Sequence, residues 1–379
     1  MLAWVARVLL VPGGVVLSTM FGGGYASGQE VATFVSGYGA WGGVLAALTL
    51  GLVFGLTLAV SFELARLFRA FEYTGFMRVL LGRGAVVYEI ALVFGFILVL
   101  AVATTAGGSI LEEHFGVPQV FGTVVLMVGA IALTWFGRRV VEWSMTLTAG
   151  LLVALLGSLL IVVLASDGAS MASAFGAEPL DWEFWQGGGR YGVLAAAFIP
   201  VIIFAARRIR TRREAVAAGM FAGALTALPA LVFHLTFMAS YPAILDEVAP
   251  SYAIASTYGG SLFLDVFVVI IFVLIAQTAV GVMQGLNERV DAWVAVHQNR
   301  HLRSVQRAGV SAVALLGTVV LSTLGLVTLV ASGYGLLSLV FLVTFTIPLF
   351  TVGLWRVWRT GRLQVEDANR STPTEGEPA

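Results

Sequence analysis

From residue 308 to residue 355 the chain runs for 48 residues without an Asp, Glu, Lys or Arg. About 20 apolar residues suffice for a helix to cross the hydrocarbon core of a bilayer, so a run of this length is read as two crossings joined by a tight turn. Shorter uncharged runs recur at 90–110, 143–166 and 266–287. Of the 379 residues, 59% are hydrophobic and 11% are charged. A soluble domain is about 25% charged; this chain would have no surface to turn towards water. A soluble globular protein is excluded. So is a separate extramembrane catalytic domain, because no stretch of ordinary polar composition is long enough to fold alone.

The sequence predicts an all-α integral membrane protein of about ten transmembrane helices, at roughly 3–36 (interrupted near 22–28), 40–66, 84–112, 118–136, 139–165, 190–207, 212–240, 259–288, 308–330 and 334–356. The segment 180–189 reads as interfacial. The polar tail from Gly361 is rich in Glu, Pro, Thr and Ser and is expected to be disordered. The N-terminal apolar run lacks a signal-peptidase site and is read as the first span.

All 21 basic residues are Arg, balanced by 21 acidic ones. The balance gives no reason to expect nucleic acid as a partner. Without Lys there is no Schiff base, and without Cys no disulfide, thiolate metal site or cysteine nucleophile. None of His114, His234, His297 and His301 pairs with another at a metal-ligand spacing within a span. No Ser–His, paired-Asp or His-Glu-x-x-His arrangement occurs on facing spans, so an enzyme is not expected. With ten spans, Arg7, Arg66, Arg69, Arg78, Arg83, Arg138, Arg139, Arg207, Arg208, Arg210, Arg212, Arg213, Arg289, Arg300, Arg303, Arg307, Arg356, Arg359 and Arg362 all fall on one side. Arg190 alone falls with the acidic loops on the other. By the positive-inside rule both termini are cytoplasmic. Five spans in each half require the second half to be inverted relative to the first, a 5+5 transporter architecture. The expected organisation is a first repeat over 1–168, an extracellular interfacial segment over 169–189, a second repeat over 190–358 and a cytoplasmic tail over 359–379.

Two spans carry breaks. In the first, Gly22-Gly23-Gly24-Tyr25-Ala26-Ser27-Gly28-Gln29-Glu30 places four glycines in seven positions. Unwound backbone survives at membrane depth only when buried in protein or lining a polar cavity. Freed carbonyls there suit a cation, and N–H groups suit a carboxylate. Close helix packing through Gly24 and Gly28 is the alternative reading. In the sixth span, Pro200 removes a donor and bends the helix, with Phe198 and Phe204 offering aromatic faces. The substrate-contacting candidates are therefore Gly23, Gly24, Tyr25, Ala26, Ser27, Glu30, Phe198, Pro200 and Phe204.

The first-helix motif resembles that of YkvI-type bacterial membrane proteins. So do Ala106-Gly107-Gly108 with Leu111-Glu112-Glu113-His114-Phe115-Gly116-Val117-Pro118, and Gln277-Thr278-Ala279-Val280-Gly281 with Gly285-Leu286-Asn287-Glu288-Arg289. The resemblance spans all ten predicted helices and implies the amino acid–polyamine–organocation superfamily. It also implies a LeuT-type fold with discontinuous helices one and six, and secondary transport. In sodium-coupled members an Na⁺ lies between first-helix carbonyls and eighth-helix hydroxyls. Carried over, its ligands are Gly22, Tyr25, Gln277 and Thr278. Gln277 stands where the family pattern tends to show a first of two threonines; its carbonyl is still a hard oxygen ligand. No other cofactor is implied.

Ionisable groups inside a bilayer are costly and are functional candidates by default. Glu30, Glu89 and His234 are the candidates for proton coupling. The bland alternatives are backbone capping by Glu30, an interfacial Arg pair for Glu89 and a packing role for His234. The expected activity is ion-coupled secondary transport, with Na⁺ the leading ion and H⁺ the alternative. The cargo is a small amino acid or similar zwitterionic or organic solute. A passive channel and a non-transporting sensor are the competing classes, and oligomeric state is not legible.

Overall fold

The computed structural model describes residues 2–20, 23–135, 138–177 and 179–360. Gly22 and the tail 361–379 lie outside the described residues, so the expectations placed on them find no structural counterpart here. Every regular element among the described residues is helical. In chain order these are α1 (2–20), α2 (Gly23–Ala26), α3 (Gln29–Phe34), α4 (Gly39–Phe68), α5 (Tyr73–Leu80), α6 (Ala85–Phe115), α7 (Gln119–Trp135) and α8 (Arg138–Ala177). Then come α9 (Phe184–Ala196), α10 (Ile199–Arg208), α11 (Arg212–Phe237), α12 (Pro250–Tyr258), α13 (Gly260–Gln298), α14 (Ser304–Ser322) and α15 (Leu326–Thr360). Among the described residues seven helices are long and apolar enough to cross a membrane, and the α9–α10 pair, bent by 45°, would make an eighth.

The chain is a multi-pass membrane protein, and its outer faces show why. Leu48, Leu52 and Leu56 recur every four residues on α4 and are exposed, as are Val86, Ile90 and Phe94 on α6 and Val313, Leu316 and Val320 on α14. Stripes of large aliphatic side chains pointing outwards suit hydrocarbon, not water. Inside, contacts are made by small residues. On α4, Gly51 and Gly55 meet Gly219, Gly223 and Ala227 of α11 so closely that a Cβ on Gly223 would lie 2.3 Å from the Gly51 carbonyl oxygen. Such small-residue seams let two backbones approach in a lipid environment that supplies no hydrophobic drive between helices.

Several boundaries differ from the sequence reading; α13, for one, runs on to Gln298 past the expected 288. The turn expected near 331–333 lies at Thr323–Gly325, where Gly325 takes φ +78°, and Gly333 sits inside a π-helical stretch, Leu329–Tyr334. Helix α9 begins at Phe184, ahead of the expected 190, because Gly187 and Gly188 let it press on Tyr38 and Ala46. Helix α8 runs on to Ala177, with non-helical backbone at Asp167.

The arginine-bearing loops converge at one end. Arg7 bonds the Arg208 carbonyl at 2.5 Å and Glu214, Arg66 pairs with Glu63 at 2.7 Å and reaches the Arg210 carbonyl at 3.4 Å, and Arg356 donates to the Val79 carbonyl. The Arg289 guanidinium lies 3.5 Å from the Tyr73 ring centroid. At the opposite end His114 contacts Asp265 at 3.2 Å, and Tyr258 donates to Asp167 at 3.0 Å.

Candidate functional site

Backbone continuity fails at two places deep in the helix bundle. The first is the turn at Ser27–Gly28 between α2 and α3. Gly28 has φ +81°, and a Cβ there would stand 2.7 Å from Phe237 Cζ and 3.0 Å from the Ser251 nitrogen. Only glycine fits on both counts. Gly23 and Gly24 lie ahead of this turn, at the start of the one-turn helix α2. The carbonyls released by the turn are not left bare. Tyr25 O accepts the Gly28 N–H at 3.0 Å, Ala26 O accepts the Ser251 hydroxyl at 2.8 Å, and Ser27 O accepts the Ser251 N–H at 3.0 Å. Thus α12 closes over the break from the end opposite the arginines.

The second break is at Ala197–Phe198 between α9 and α10. Pro200 lies in the first turn of α10, where its missing N–H costs nothing. The Tyr88 hydroxyl donates to the Ala197 carbonyl, satisfying the acceptor that the break exposes.

Between the breaks lies a cavity of about 400 Å³, within the usual size range of small-molecule sites. Glu30, Tyr25, Tyr191 and Tyr334 line its deep end, and Phe96, Leu194, Phe198 and Ile202 line its middle. Phe204, 48% exposed, and the exposed Glu288 mark its mouth at the arginine-rich end. Glu30 is 92% buried by its 8% exposure, and its carboxylate accepts the Tyr191 hydroxyl. The Tyr191 ring stacks between Phe34, at 5.4 Å, and Tyr25, at 6.2 Å.

Of the sequence candidates, the fold brings Tyr25, Glu30, Phe198, Phe204 and Thr278 to this one cavity. Ala26 and Ser27 are buried beneath α12 instead, and Pro200 is buried within α10 behind Phe198. Gln277 is buried beside Thr278, whose hydroxyl donates to the Leu274 carbonyl of its own helix at 2.9 Å. Glu89 accepts the Tyr73 hydroxyl near the arginine-rich end and is not part of the cavity wall. His234 is also apart from it. Its Nε2 donates to the Ala40 carbonyl at 2.8 Å, which leaves Nδ1 to accept the Ser36 hydroxyl at 3.0 Å in the neutral ring. That is the pattern of a satisfied packing histidine.

The sequence reading missed Tyr191, Tyr334 and Thr226, which complete the deep end, and Arg289 at the mouth. Tyr191 carried a usable signal as a polar ring inside the short sixth span. Tyr334 carried none, since it fell at an expected span boundary.

No protein-family model matches the sequence, and no curated protein sequence does. Solved structures do. A Na⁺-coupled sialic acid symporter superposes with a TM-score of 0.63 at 13% identity, over 92% of this chain and 79% of that one. An Eremococcus coleocola manganese transporter superposes with a TM-score of 0.58 at 15% identity, over 91% and 78%. MhsT in complex with L-phenylalanine superposes with a TM-score of 0.57 at 17% identity, over 90% and 86%. At these identities the likeness fixes the fold alone, and that fold is the LeuT type.

Proposed function

We propose that this chain is an ion-coupled secondary active transporter of the bacterial inner membrane, carrying a small amino acid or similar zwitterionic or organic solute by alternating access. The observation that carries the reading is the cavity between two broken helices, walled by a buried carboxylate and closed at one end only. A passive channel would need a path through both ends, whereas α12 seals the far end through Ser251. The LeuT-type neighbours include transporters whose cargoes are sialic acid and manganese, and one bound to L-phenylalanine.

In this proposal the chain has ten spans in two inverted sets of five. Helices α1–α3 form a discontinuous first span and α9–α10 a discontinuous sixth. The arginine-rich end is cytoplasmic, so the state described here faces inward. The bundle of spans one, two, six and seven moves against the rest. The Na⁺ site uses carbonyls of Gly22 and Tyr25 with the side-chain oxygens of Gln277 and Thr278. Membership of the YkvI-type group within the amino acid–polyamine–organocation superfamily belongs to the same reading. Proton coupling is the second reading, favoured by one observation: Glu30 is the buried carboxylate of the cavity wall.

The test is solute accumulation in proteoliposomes under an imposed Na⁺ or H⁺ gradient. Uphill uptake that collapses when the gradient is dissipated is expected. Equilibration that never exceeds the external concentration would overturn the reading in favour of a facilitator.

A further inference from the structure

Resting on the transport reading, the sign of charge in the cavity identifies the cargo further. We infer that the deep end is an ammonium site: it reads a cationic nitrogen through Glu30 and the rings of Tyr25, Tyr191 and Tyr334, and it does not read a carboxylate.

Among the described residues lining the cavity, the charged ones are Glu30, Glu288 and Arg289. Glu288 is exposed at the mouth and Arg289 is stacked on Tyr73, and among the described residues no ion pair joins Arg289 to Glu30. Glu30 is left as the uncompensated charge at the deep end. Burying a charge is costly unless it is paired. A ligand ammonium placed against Glu30 supplies the missing partner, whereas a ligand carboxylate there would add a second negative charge.

The hydroxyl inventory points the same way. A carboxylate is bound by donors, and of the hydroxyls of this wall all but that of Tyr334 have already committed theirs. Thr19 donates to the Val15 carbonyl at 2.9 Å, Thr226 to that of Ala222 at 2.9 Å, and Thr278 to that of Leu274 at 2.9 Å. Tyr25 donates to the Thr226 carbonyl at 3.4 Å, and Tyr191 donates to Glu30 itself. What these groups still present to a ligand is oxygen lone pairs and π faces. Both attract cations, since the face of a tyrosine ring is electron-rich and holds an ammonium within about 6 Å of its centroid. Two backbone donors at the breaks are committed as well: Gly28 N–H bonds the Tyr25 carbonyl at 3.0 Å, and Phe198 N–H bonds that of Ala195 at 3.2 Å. A zwitterion can enter, but its carboxylate must be neutralised by a co-bound ion. A simple amine or quaternary ammonium needs none.

The experiment uses the purified full chain in a K⁺ buffer free of Na⁺. Phenethylamine, phenylalanine and 3-phenylpropionate share one ring and differ in charge; tetramethylammonium serves as a quaternary probe. Binding to the folded state raises thermal stability by mass action. Phenethylamine and tetramethylammonium at about 10 mM should stabilise the protein in this way, and 3-phenylpropionate should not. Glu30→Gln keeps the size and the acceptor for Tyr191 while removing the charge, and should weaken phenethylamine by about tenfold to a hundredfold. Tyr334→Phe keeps the ring and should leave that affinity within about threefold. Silence of both cations, stabilisation by 3-phenylpropionate, or undiminished binding in a folded Glu30→Gln protein each overturns the inference. Gradient-driven accumulation of a carboxylate, with cations ignored, would overturn it while leaving the transport reading standing. Loss of accumulation with cation binding intact would do the reverse.

Discussion

Gly28 offers the sharpest test of how the first helix break is built. Gly28→Ala meets two separate penalties. At φ +81° an L-residue is in the left-handed region, which costs about 1–2 kcal/mol. The added Cβ also lies 2.7 Å from Phe237 Cζ and 3.0 Å from the Ser251 nitrogen, the second a backbone atom that cannot swing aside. Overpacking of this kind costs about 1–3 kcal/mol. Alanine restricts the unfolded chain and returns about 0.4–1 kcal/mol. The net loss is about 1–5 kcal/mol. Gly82 provides the control, because its φ is +55° and nothing would meet its Cβ within 4 Å. Gly82→Ala carries the backbone penalty without the crowding. Thermal unfolding of both variants in one detergent should place Gly82→Ala near the parent protein and Gly28→Ala well below it. Hydrogen exchange in Gly28→Ala should rise over 250–258, the helix displaced by the new methyl. If the two variants unfold together, crowding against Phe237 and Ser251 is not what reserves this position for glycine.

Ser251→Ala removes the hydroxyl that caps the Ala26 carbonyl and should cost about 1–2 kcal/mol, with faster exchange confined to the first break; unchanged exchange there would mean that α12 does not seal it. His234→Ala empties a buried ring site and strips two hydrogen bonds, so a stability loss of about 2–5 kcal/mol is expected. The pH profile of uptake should not move, and a displaced profile would make His234 a proton carrier. Thr278→Ala should leave thermal stability nearly unchanged, since the hydroxyl bonds only its own helix, while reducing Na⁺ dependence about tenfold; unaltered Na⁺ affinity would remove Thr278 from the ion site.

What the sequence made legible is what the bilayer imposes locally. A membrane helix must be apolar along its whole length, so the positions of α4, α6, α11 and α13 follow from hydropathy and from where Arg interrupts it. The α14–α15 turn was not legible for the same reason. Nothing charged occurs between 308 and 355, and hydropathy cannot choose between Gly325 and Gly333. The structure chooses Gly325, the one with positive φ, and leaves Gly333 against the Leu98 side chain. The first break was found by its glycines, and the Ser27–Gly28 turn lies within the expected 22–28. Which of four glycines turns the chain is set by Phe237 and Ser251, more than 200 residues away in sequence. The deep end of the cavity escaped in part because tyrosines read equally as interface anchors. Only the fold shows that Tyr25, Tyr191 and Tyr334 converge on one carboxylate.

The two ends of the cavity are closed and opened by different kinds of contact, and this bears on how such a protein would switch. At the arginine-rich end Arg7 ties α1 to α11 through Glu214, and the same carboxylate accepts the Arg210 N–H at 2.7 Å. One acidic group therefore couples α1, the loop after α10 and the start of α11, so these elements would move as a unit. At the far end the seal is two hydrogen bonds from Ser251 to the carbonyls of the first break. Net of solvation, two such bonds are worth about 1–3 kcal/mol. A difference of that size holds one state dominant yet leaves the other within reach of a ligand that binds it about tenfold to a hundredfold better. Rewiring the Ser251 contacts should thus shift the balance of states without disturbing Glu30, whereas neutralising Glu30 should abolish the response to a cationic ligand without disturbing the seal.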